Sequence, residues 1–182
     1  MFLADMTSDD LTVLPTHRLI KKDISEEQLL TFLKTNFKIT PLNSAAETIK
    51  ALNQETNSLV FGLALKEKYF LLQGEKDSLS RKIQSHHSLA WKSLDTAILN
   101  ELILNSLALE PNKTLFFSEN TNAVLKQVKE GSATCAFILR PLSLAQIMQI
   151  AREGEKMPQK STYFYPKPLT GLVIYKFSQS FK

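Results

Sequence analysis

The sequence predicts an α+β fold (α/β mixed), in which a mixed sheet that includes one β-hairpin is packed by about five helices. Two observations predict this class. Of the 182 residues, 43% are hydrophobic and 22% are charged, which is the composition of a chain with a packed core. Apolar residues recur at helical spacing in some segments and form short runs in others, and the two kinds alternate along the chain. No linker divides the chain, so we expect a single domain over residues 1–182.

Prolines and capping residues delimit the elements of the first third. Pro15 and Pro41 each end a strand, because proline lacks the amide hydrogen that a ladder requires. Ser25 followed by Gln28 has the spacing of a helix capping box, and Asn43 is a second helix cap. The predicted elements are a strand ending at 10–14, a turn at 15–18, a helix at 25–35, a strand at 37–40, a helix begun at Asn43, and a hairpin formed by 59–65 and 69–72.

Beyond the hairpin, helical periodicity and glycines mark the elements. Residues 74–90 are rich in serine and charge and predict a surface loop. Apolar residues at helical spacing predict the longest helix over 94–109, before Pro111. Gly131 and Gly154 are suitable helix stops. The remaining predicted elements are a strand at 114–118, a helix from Asn120 or Thr121 through Val128, a strand at 134–139, a helix opened by Pro141 and Ser143, and a strand at 171–177.

Charge and cysteine content limit the classes of binding partner and the cellular compartment that we expect for this chain. The net charge of +4 permits phosphorylated ligands but is small for duplex binding, so no nucleic acid is expected. No run reaches the roughly 18 apolar residues of a membrane helix, and the amino terminus lacks a targeting pattern. We therefore expect a cytoplasmic protein with no membrane partner. Cys135, the single cysteine, lies in an apolar run and predicts an inert core thiol.

Familiar catalytic and metal motifs are absent from the sequence. His86 and His87 are adjacent and lack further ligands, so they predict solvated loop histidines and no metal site. Asp95 is expected to cap the long helix rather than to act as a catalytic carboxylate. There is no glycine-rich phosphate loop, nucleophile elbow or metalloprotease helix, and the sequence identifies no cofactor.

Residues 157–168 are the most unusual segment. Three prolines, three aromatic residues, two lysines and two hydroxyl side chains fall within these twelve residues, a pattern that no regular helix or central strand tolerates. A proline-stiffened loop can hold Lys160, Ser161 and Thr162 as donors toward an anion. The alternative is a braced structural loop whose aromatic residues pack on the core and whose lysines face water.

A second polar group lies near the amino terminus. Thr16, His17 and Arg18 supply a hydroxyl, an imidazole that titrates near neutral pH, and a guanidinium suited to phosphate or carboxylate. On a strand these three side chains cannot share one face, whereas a turn could bring them together. The alternative is an ordinary solvated turn.

Three stretches together resemble a known family. They are Leu-Pro-Thr-His-Arg at 14–18, Leu-Asp at 94–95, and Glu-Lys-Met-Pro-Gln-Lys-Ser-Thr-Tyr-Phe-Tyr-Pro-Lys at 155–167, before a Gly-Leu-Val strand. In order and spacing they resemble the prokaryotic domain-of-unknown-function family 1015. The resemblance implies that the chain corresponds to the carboxyl-terminal half of the usual family protein.

The amino-terminal half of those proteins carries an Asp-Gly-His-His-Arg motif similar to one in ParB-like proteins and free serine kinases. Residues 85–88, Ser-His-His-Ser, do not replace it. The resemblance therefore implies nucleotide or phosphoryl chemistry for the full-length family. It also implies a truncated, split or separately encoded half, whose partner is a separate amino-terminal half or a second copy of the chain.

These inferences predict the carboxyl-terminal half of a phosphoryl-transferring or nucleotide-linked small-molecule enzyme. His17 would be the catalytic residue, orienting a group or exchanging a proton. The two motifs are expected to meet around a phosphorylated or carboxylated ligand. The predicted ligand-binding residues are Thr16, Arg18, Lys160, Ser161, Thr162 and Lys167. The alternative is a non-catalytic ligand-binding or protein-interaction module.

Overall fold

The computed structural model describes residues 11–54, 58–167 and 171. Its strands are β1 (Thr12–Leu14), β2 (His17–Ile20), β3 (Lys38–Leu42), β4 (Leu59–Ala64), β5 (Tyr69–Gly74), β6 (Leu115–Ser118), β7 (Cys135–Ile138) and β8 (Tyr163–Tyr165). Its α-helices are α1 (Glu26–Lys34), α2 (Ala45–Gln54), α3 (Lys76–Lys82), α4 (Leu89–Lys92), α5 (Asp95–Leu99), α6 (Thr121–Lys129) and α7 (Leu144–Arg152). A π-helical segment, Asn100–Leu104, continues α5.

Six strands form one sheet in the order β3-β5-β4-β7-β2-β6, and β1 pairs with β8 in a separate two-stranded sheet. The α+β class is confirmed, and so is the hairpin, which β4 and β5 form around residues 65–68. The sequence predicted mixed strand directions, whereas the pairings between strands of the described residues are antiparallel. No helix within the described residues is long and apolar enough to span a membrane.

Helices cover both faces of the large sheet, because successive side chains of a strand point to opposite faces. On one face Phe61 and Phe137 pack in a core with residues of α1, α3, α4 and α5. On the other face Val60 and Ala136 pack against residues of α2 and α6. Both phenylalanines are fully buried, and burial of each side chain contributes roughly 2–3 kcal/mol. The sheet is therefore the middle layer of the fold, and its strands position the polar residues described below.

Gly62 lets α2 approach the sheet closely. A Cβ atom at this position would lie 2.6 Å from Cγ2 of Thr48 and 3.1 Å from Cβ of Ile138, which is closer than van der Waals contact permits. The absence of a side chain therefore sets the distance between this helix and the backbone of β4.

Two segments that were predicted to interrupt regular structure belong instead to a strand and a helix. Pro41 was expected to end a strand, but it lies within β3 opposite Phe70. Because β3 is an edge strand, one side of its backbone needs no ladder donor, and proline is tolerated there. Residues 74–90 were predicted as a surface loop, yet α3 forms within them. The Glu75 carboxylate accepts hydrogen bonds from the first turn of α3, and Leu79 and Ile83 are buried four residues apart.

The turn predicted at residues 15–18 is also wrong, and this error matters for the site. Pro15 does separate two strands, but β2 begins at His17 and is buried along its whole length. β2 pairs with β6 on one side and with β7 on the other. His17 and Arg18 are therefore consecutive residues of a central strand and face opposite sides of the sheet.

The longest predicted helix is shorter than expected and changes its hydrogen bonding. After α5 the chain adopts the π-helical segment, in which the amide of Asn105 donates to the carbonyl of Asn100 at 2.9 Å. Asp95 was predicted to cap this helix, but Leu94 occupies the cap position and Asp95 is the first helical residue. Apart from Gly171, the strand predicted at 171–177 lies outside the described residues.

Serine and asparagine caps begin the later helices as predicted. Asn120 caps α6, and Ser143 forms a capping box with Gln146 at the start of α7. Gly131 and Gly154 follow these helices with φ of 76° and 72°, a conformation that glycine adopts without strain.

Replacing Ser143 by alanine is expected to lower the free energy of unfolding by about 1 kcal/mol, because the amide of Gln146 loses its acceptor. Urea denaturation measures the change. Ser106→Ala, at an exposed turn position outside the α-helices, should leave the midpoint close to that of the wild type. An unchanged midpoint for Ser143→Ala would contradict the assigned cap.

Candidate anion-binding site

The polar motif residues gather at one end of the large sheet. In the antiparallel register, the start of β2 lies beside the ends of β6 and β7, since His17 pairs with Ser118 and Arg18 with Phe137. The start of β4 and the end of β5 lie at the same end, where Leu59 pairs with Gly74. We call this the motif end of the sheet.

Arg18 is completely buried at the motif end. Its Nη1 donates a hydrogen bond to the carbonyl of Thr16, while Nε and Nη2 have no hydrogen-bond partner in the described part of the chain. The guanidinium carbon lies 5.4 Å from the centre of the Phe117 ring. Burial lowers the pKa of Arg18 to about 10, so the side chain remains a cation at neutral pH. A buried charge with unused donors is costly unless an anion completes it.

Lys160 approaches the same aromatic ring as Arg18. Its Nζ lies 6.0 Å from the centre of the Phe117 ring, so the two motifs place their cations around one side chain. Lys160 has a positive φ of 58°, a strained conformation that is concentrated at ligand-binding and active sites. The sequence did not identify Phe117, which is an ordinary strand phenylalanine until its pairing with Arg18 is known.

The other predicted donors are placed differently. Ser161 is buried, and its single hydroxyl proton is donated to the carbonyl of Pro158 at 2.6 Å. Its oxygen therefore accepts from the hydroxyl of Thr96 at 3.1 Å, which ties the loop to α5. Thr16 is buried, Thr162 is half-buried, and Lys167 lies with Nζ 4.1 Å from the centre of the Tyr163 ring.

His17 lies on the opposite face from Arg18, beside a cavity of about 170 Å³. Nδ1 accepts a hydrogen bond from the amide of Leu139 at 3.2 Å. Nε2 therefore carries the ring proton and donates to the hydroxyl of Thr121 at 2.8 Å. Burial, together with the nearby Arg18 charge, lowers the pKa of His17 to about 4. The imidazole is consequently neutral and held in one orientation at pH 7.

Asp95 connects three parts of the chain. Its Oδ1 lies 2.9 Å from Nζ of Lys76, and its Oδ2 accepts a hydrogen bond from Nη2 of Arg140 at 2.9 Å. The same Nη2 donates to the carbonyl of Ser58. Asp95 thus joins α3, α5 and the segment after β7 at the motif end, a role that its helical position alone did not indicate.

Glu155 anchors the segment that carries Lys160. Its carboxylate accepts hydrogen bonds from the amide and the hydroxyl of Ser88 at 2.8 and 2.9 Å, and the bond from the Ser88 amide is the main cause of its lowered pKa. Nε1 of Trp91 donates to the carbonyl of Lys156 at 3.0 Å. His87, predicted to be solvated, stacks on Trp91 with ring centres 4.0 Å apart. These contacts hold the start of the Lys160 segment against α4.

Cys135 is expected to resist thiol reagents in the native protein. It is fully buried in β7, and burial raises the pKa of its thiol to about 12, so very little reactive thiolate forms at neutral pH. A chromogenic disulfide reagent should react at a normal rate only after denaturation. Rapid stoichiometric labelling under native conditions would contradict this placement.

Comparisons with known proteins place the fold. A family model described as "Protein of unknown function (DUF1015)" matches residues 1–97. A structure of a free serine kinase in complex with AMP is similar, with a TM-score of 0.52 and 20% identity over 88% of this chain and 56% of that chain. A mutant of such a kinase in complex with ADP gives a TM-score of 0.52 and 19% identity, with the same coverage.

A conserved hypothetical protein from Pyrococcus furiosus has a TM-score of 0.53 and 17% identity over 88% of this chain and 59% of that chain. No curated protein matches the chain. At these identities the structural similarity shows a shared fold, and the chain spans 56–59% of the length of these structures.

Proposed function

We propose that this chain, which belongs to the DUF1015 family of proteins of unknown function, forms one half of a nucleotide-linked phosphotransfer enzyme and supplies part of its phosphate-binding site. The observation that carries the proposal is the buried guanidinium of Arg18, whose Nε and Nη2 have no partner in the described residues. The remaining half of the site would come from an amino-terminal half of the enzyme.

A phosphate group suits these donors better than a neutral ligand does. Nε and Nη2 of an arginine form a fork that binds two oxygens of one phosphate or carboxylate. Lys160, which shares the Phe117 ring with Arg18, would neutralise a second negative charge. Because Arg18 has no exposed surface, binding requires the groups that cover it to move.

The similar solved structures support nucleotide-linked chemistry. The free serine kinases that share this fold hold AMP or ADP, which are phosphorylated ligands of the class that the Arg18 donors would recognise. Under this proposal Thr162 and Lys167 would join the site when ligand binds, and Ser161 would keep its loop in place. His17 would hold Leu139 and Thr121 in place at the motif end rather than exchange a proton, since both of its ring nitrogens already make hydrogen bonds to these residues.

Binding of ATP, ADP and phosphoserine by calorimetry tests this function. Arg18→Met and Lys160→Gln, made singly and together, are each expected to weaken binding by about ten-fold, because each removes one charge-assisted contact. Lys21→Gln is the matched control, since Nζ of Lys21 also lies over a phenylalanine ring, 4.7 Å from the centre of Phe116, and it should bind as the wild type does.

The same titrations are repeated with the amino-terminal half of a related family protein added. Absence of binding in both forms would refute the phosphotransfer proposal. Binding that Arg18→Met leaves unchanged would refute the assigned site.

A non-catalytic ligand-binding module is the second candidate. The neutral, fully hydrogen-bonded His17 favours it, because this residue offers no proton acceptor near neutral pH. Transfer of labelled phosphate from ATP by the combined halves would support the enzyme. Ligand binding with no transfer to phosphoryl acceptors would support the module.

A further inference from the structure

A second cavity at the motif end lies apart from Arg18. It has a volume of about 460 Å³ and is lined by polar side chains on several elements, a size that accommodates a small molecule. The polar side chains that line it are Asn53, Lys76, Asp95, Arg140, Ser143 and Gln146. The sequence singled out Asp95 and Ser143 among them, each as a residue that begins a helix.

Positive charge exceeds negative charge among the side chains that line this cavity. Lys76 and Arg140 are cations, and both contact the single carboxylate of Asp95. The side chain of Lys76 is 29% exposed, so its ammonium, which has three donors, remains accessible beside the ion pair. The three side chains together carry one net positive charge, which a singly charged oxyanion would balance.

The amino terminus of α7 adds to the positive potential. Ser143 caps this nine-residue helix, Gln146 lies in its first turn, and both line the cavity. Oε1 of Gln146 accepts from the amide and hydroxyl of Ser143, which leaves the two hydrogens of Nε2 outside the capping box. Helix N-termini attract anions through the helix dipole. The N-terminus of α7 and the cations Lys76 and Arg140 therefore all favour the binding of an anion in the cavity.

We propose that this cavity binds the carboxylate or phosphate group of a small molecule, as a site separate from Arg18. Lys76 and the first turn of α7 contact the anion. Asp95 is a positioning residue that holds Lys76 and Arg140 at the cavity wall and cancels one of their charges. The proposal does not depend on phosphotransfer, because none of these residues is among those assigned to the phosphate-binding site at Arg18.

Amide spectra of the ¹⁵N-labelled full chain, titrated separately with acetate, inorganic phosphate and glycerol, test the site. Saturable shifts at Lys76, Ser143 and Gln146 are expected with acetate, phosphate or both, and not with the neutral glycerol. The anion that saturates at lower concentration identifies the group recognised. Lys76→Gln should weaken binding by about ten-fold, the effect of losing one charged hydrogen bond.

Gln146→Glu is the second variant, and it is chosen because it is expected to fold normally. Glutamate serves as well as glutamine at this position of a capping box, so the helix cap is kept while a negative charge enters the cavity. Binding should again weaken by about ten-fold. The matched controls are Lys82→Gln on α3 and Gln28→Glu, which stands at the equivalent position of α1, and both should bind as the wild type does.

Arg18→Met separates this site from the proposed function, because it should leave the Lys76, Ser143 and Gln146 shifts unchanged. The absence of saturable shifts with either anion would overturn the proposal. It would also be overturned if the shifts vanished in Arg18→Met and persisted in Gln146→Glu.

Discussion

Replacing Arg18 by methionine is expected to raise the free energy of unfolding by about 2 kcal/mol while weakening phosphate binding at the Arg18 site by about ten-fold. The pKa of Arg18 falls from 12.5 to about 10 on folding, so burial disfavours its charged form by about 3 kcal/mol. Methionine avoids that cost with a side chain of similar length, but loses the hydrogen bond to the Thr16 carbonyl, worth about 1 kcal/mol. Even buried ion pairs can often be replaced by apolar residues of similar volume with no loss, or with a gain, in stability.

Chemical denaturation with and without phosphate measures both effects. A ligand that binds only the folded state stabilises it by mass action, so phosphate should raise the midpoint of the wild type by more than that of Arg18→Met. Arg152→Met, at an exposed position in the last turn of α7, is the control and should change the free energy of unfolding little. A fall in stability for Arg18→Met would mean that the guanidinium is already satisfied in the folded protein.

The free energy of unfolding is expected to fall by about 2 kcal/mol between pH 7 and pH 5 through His17 alone. Its pKa is lowered on folding from 6.5 to about 4, first by burial and then by the Arg18 charge. Below pH 6.5 the unfolded chain therefore binds a proton that the folded chain does not bind, and this difference favours unfolding. The contribution of the neutral His17 to the free energy of unfolding is therefore complete above pH 6.5 and is lost as the pH falls toward 4.

His17→Asn should flatten this part of the pH profile. The asparagine oxygen can take the place of Nδ1 and accept from the amide of Leu139, but it does not titrate. His86→Asn, at an exposed position, should keep the wild-type slope. A steep fall that persists in His17→Asn would assign the pH dependence to another group.

Local sequence signals predicted much of the fold correctly. The hairpin of β4 and β5, the Asn120 and Ser143 caps and the glycines after α6 and α7 appear where the sequence indicated them. These features depend on residues close together in the chain, which is why propensity and capping chemistry suffice to predict them. The helix over residues 76–82 was missed because its serines and charges obscured the helical spacing of Leu79 and the following Ile83.

The candidate site was predicted only as a list of residues. Thr16, His17 and Arg18 were expected to converge on a turn, yet β2 begins at His17 and includes Arg18, because β6 and β7 supply its hydrogen-bond partners from about 100 residues away along the chain. Phe117 and Arg140 carried no local signal, since their contacts with Arg18 and Asp95 exist only after the sheet has assembled.

The sequence by itself determined the α+β class, most element boundaries and the family resemblance, because each depends on residue type and near neighbours. The tertiary structure alone decided which polar side chains meet. Strand pairing turned His17 and Arg18 to opposite faces of the sheet. The packing of helices and loops against the sheet brought Lys160 to the ring that Arg18 contacts and placed Asp95 between Lys76 and Arg140. Such contacts depend on strand order and register, which the burial of the whole core selects.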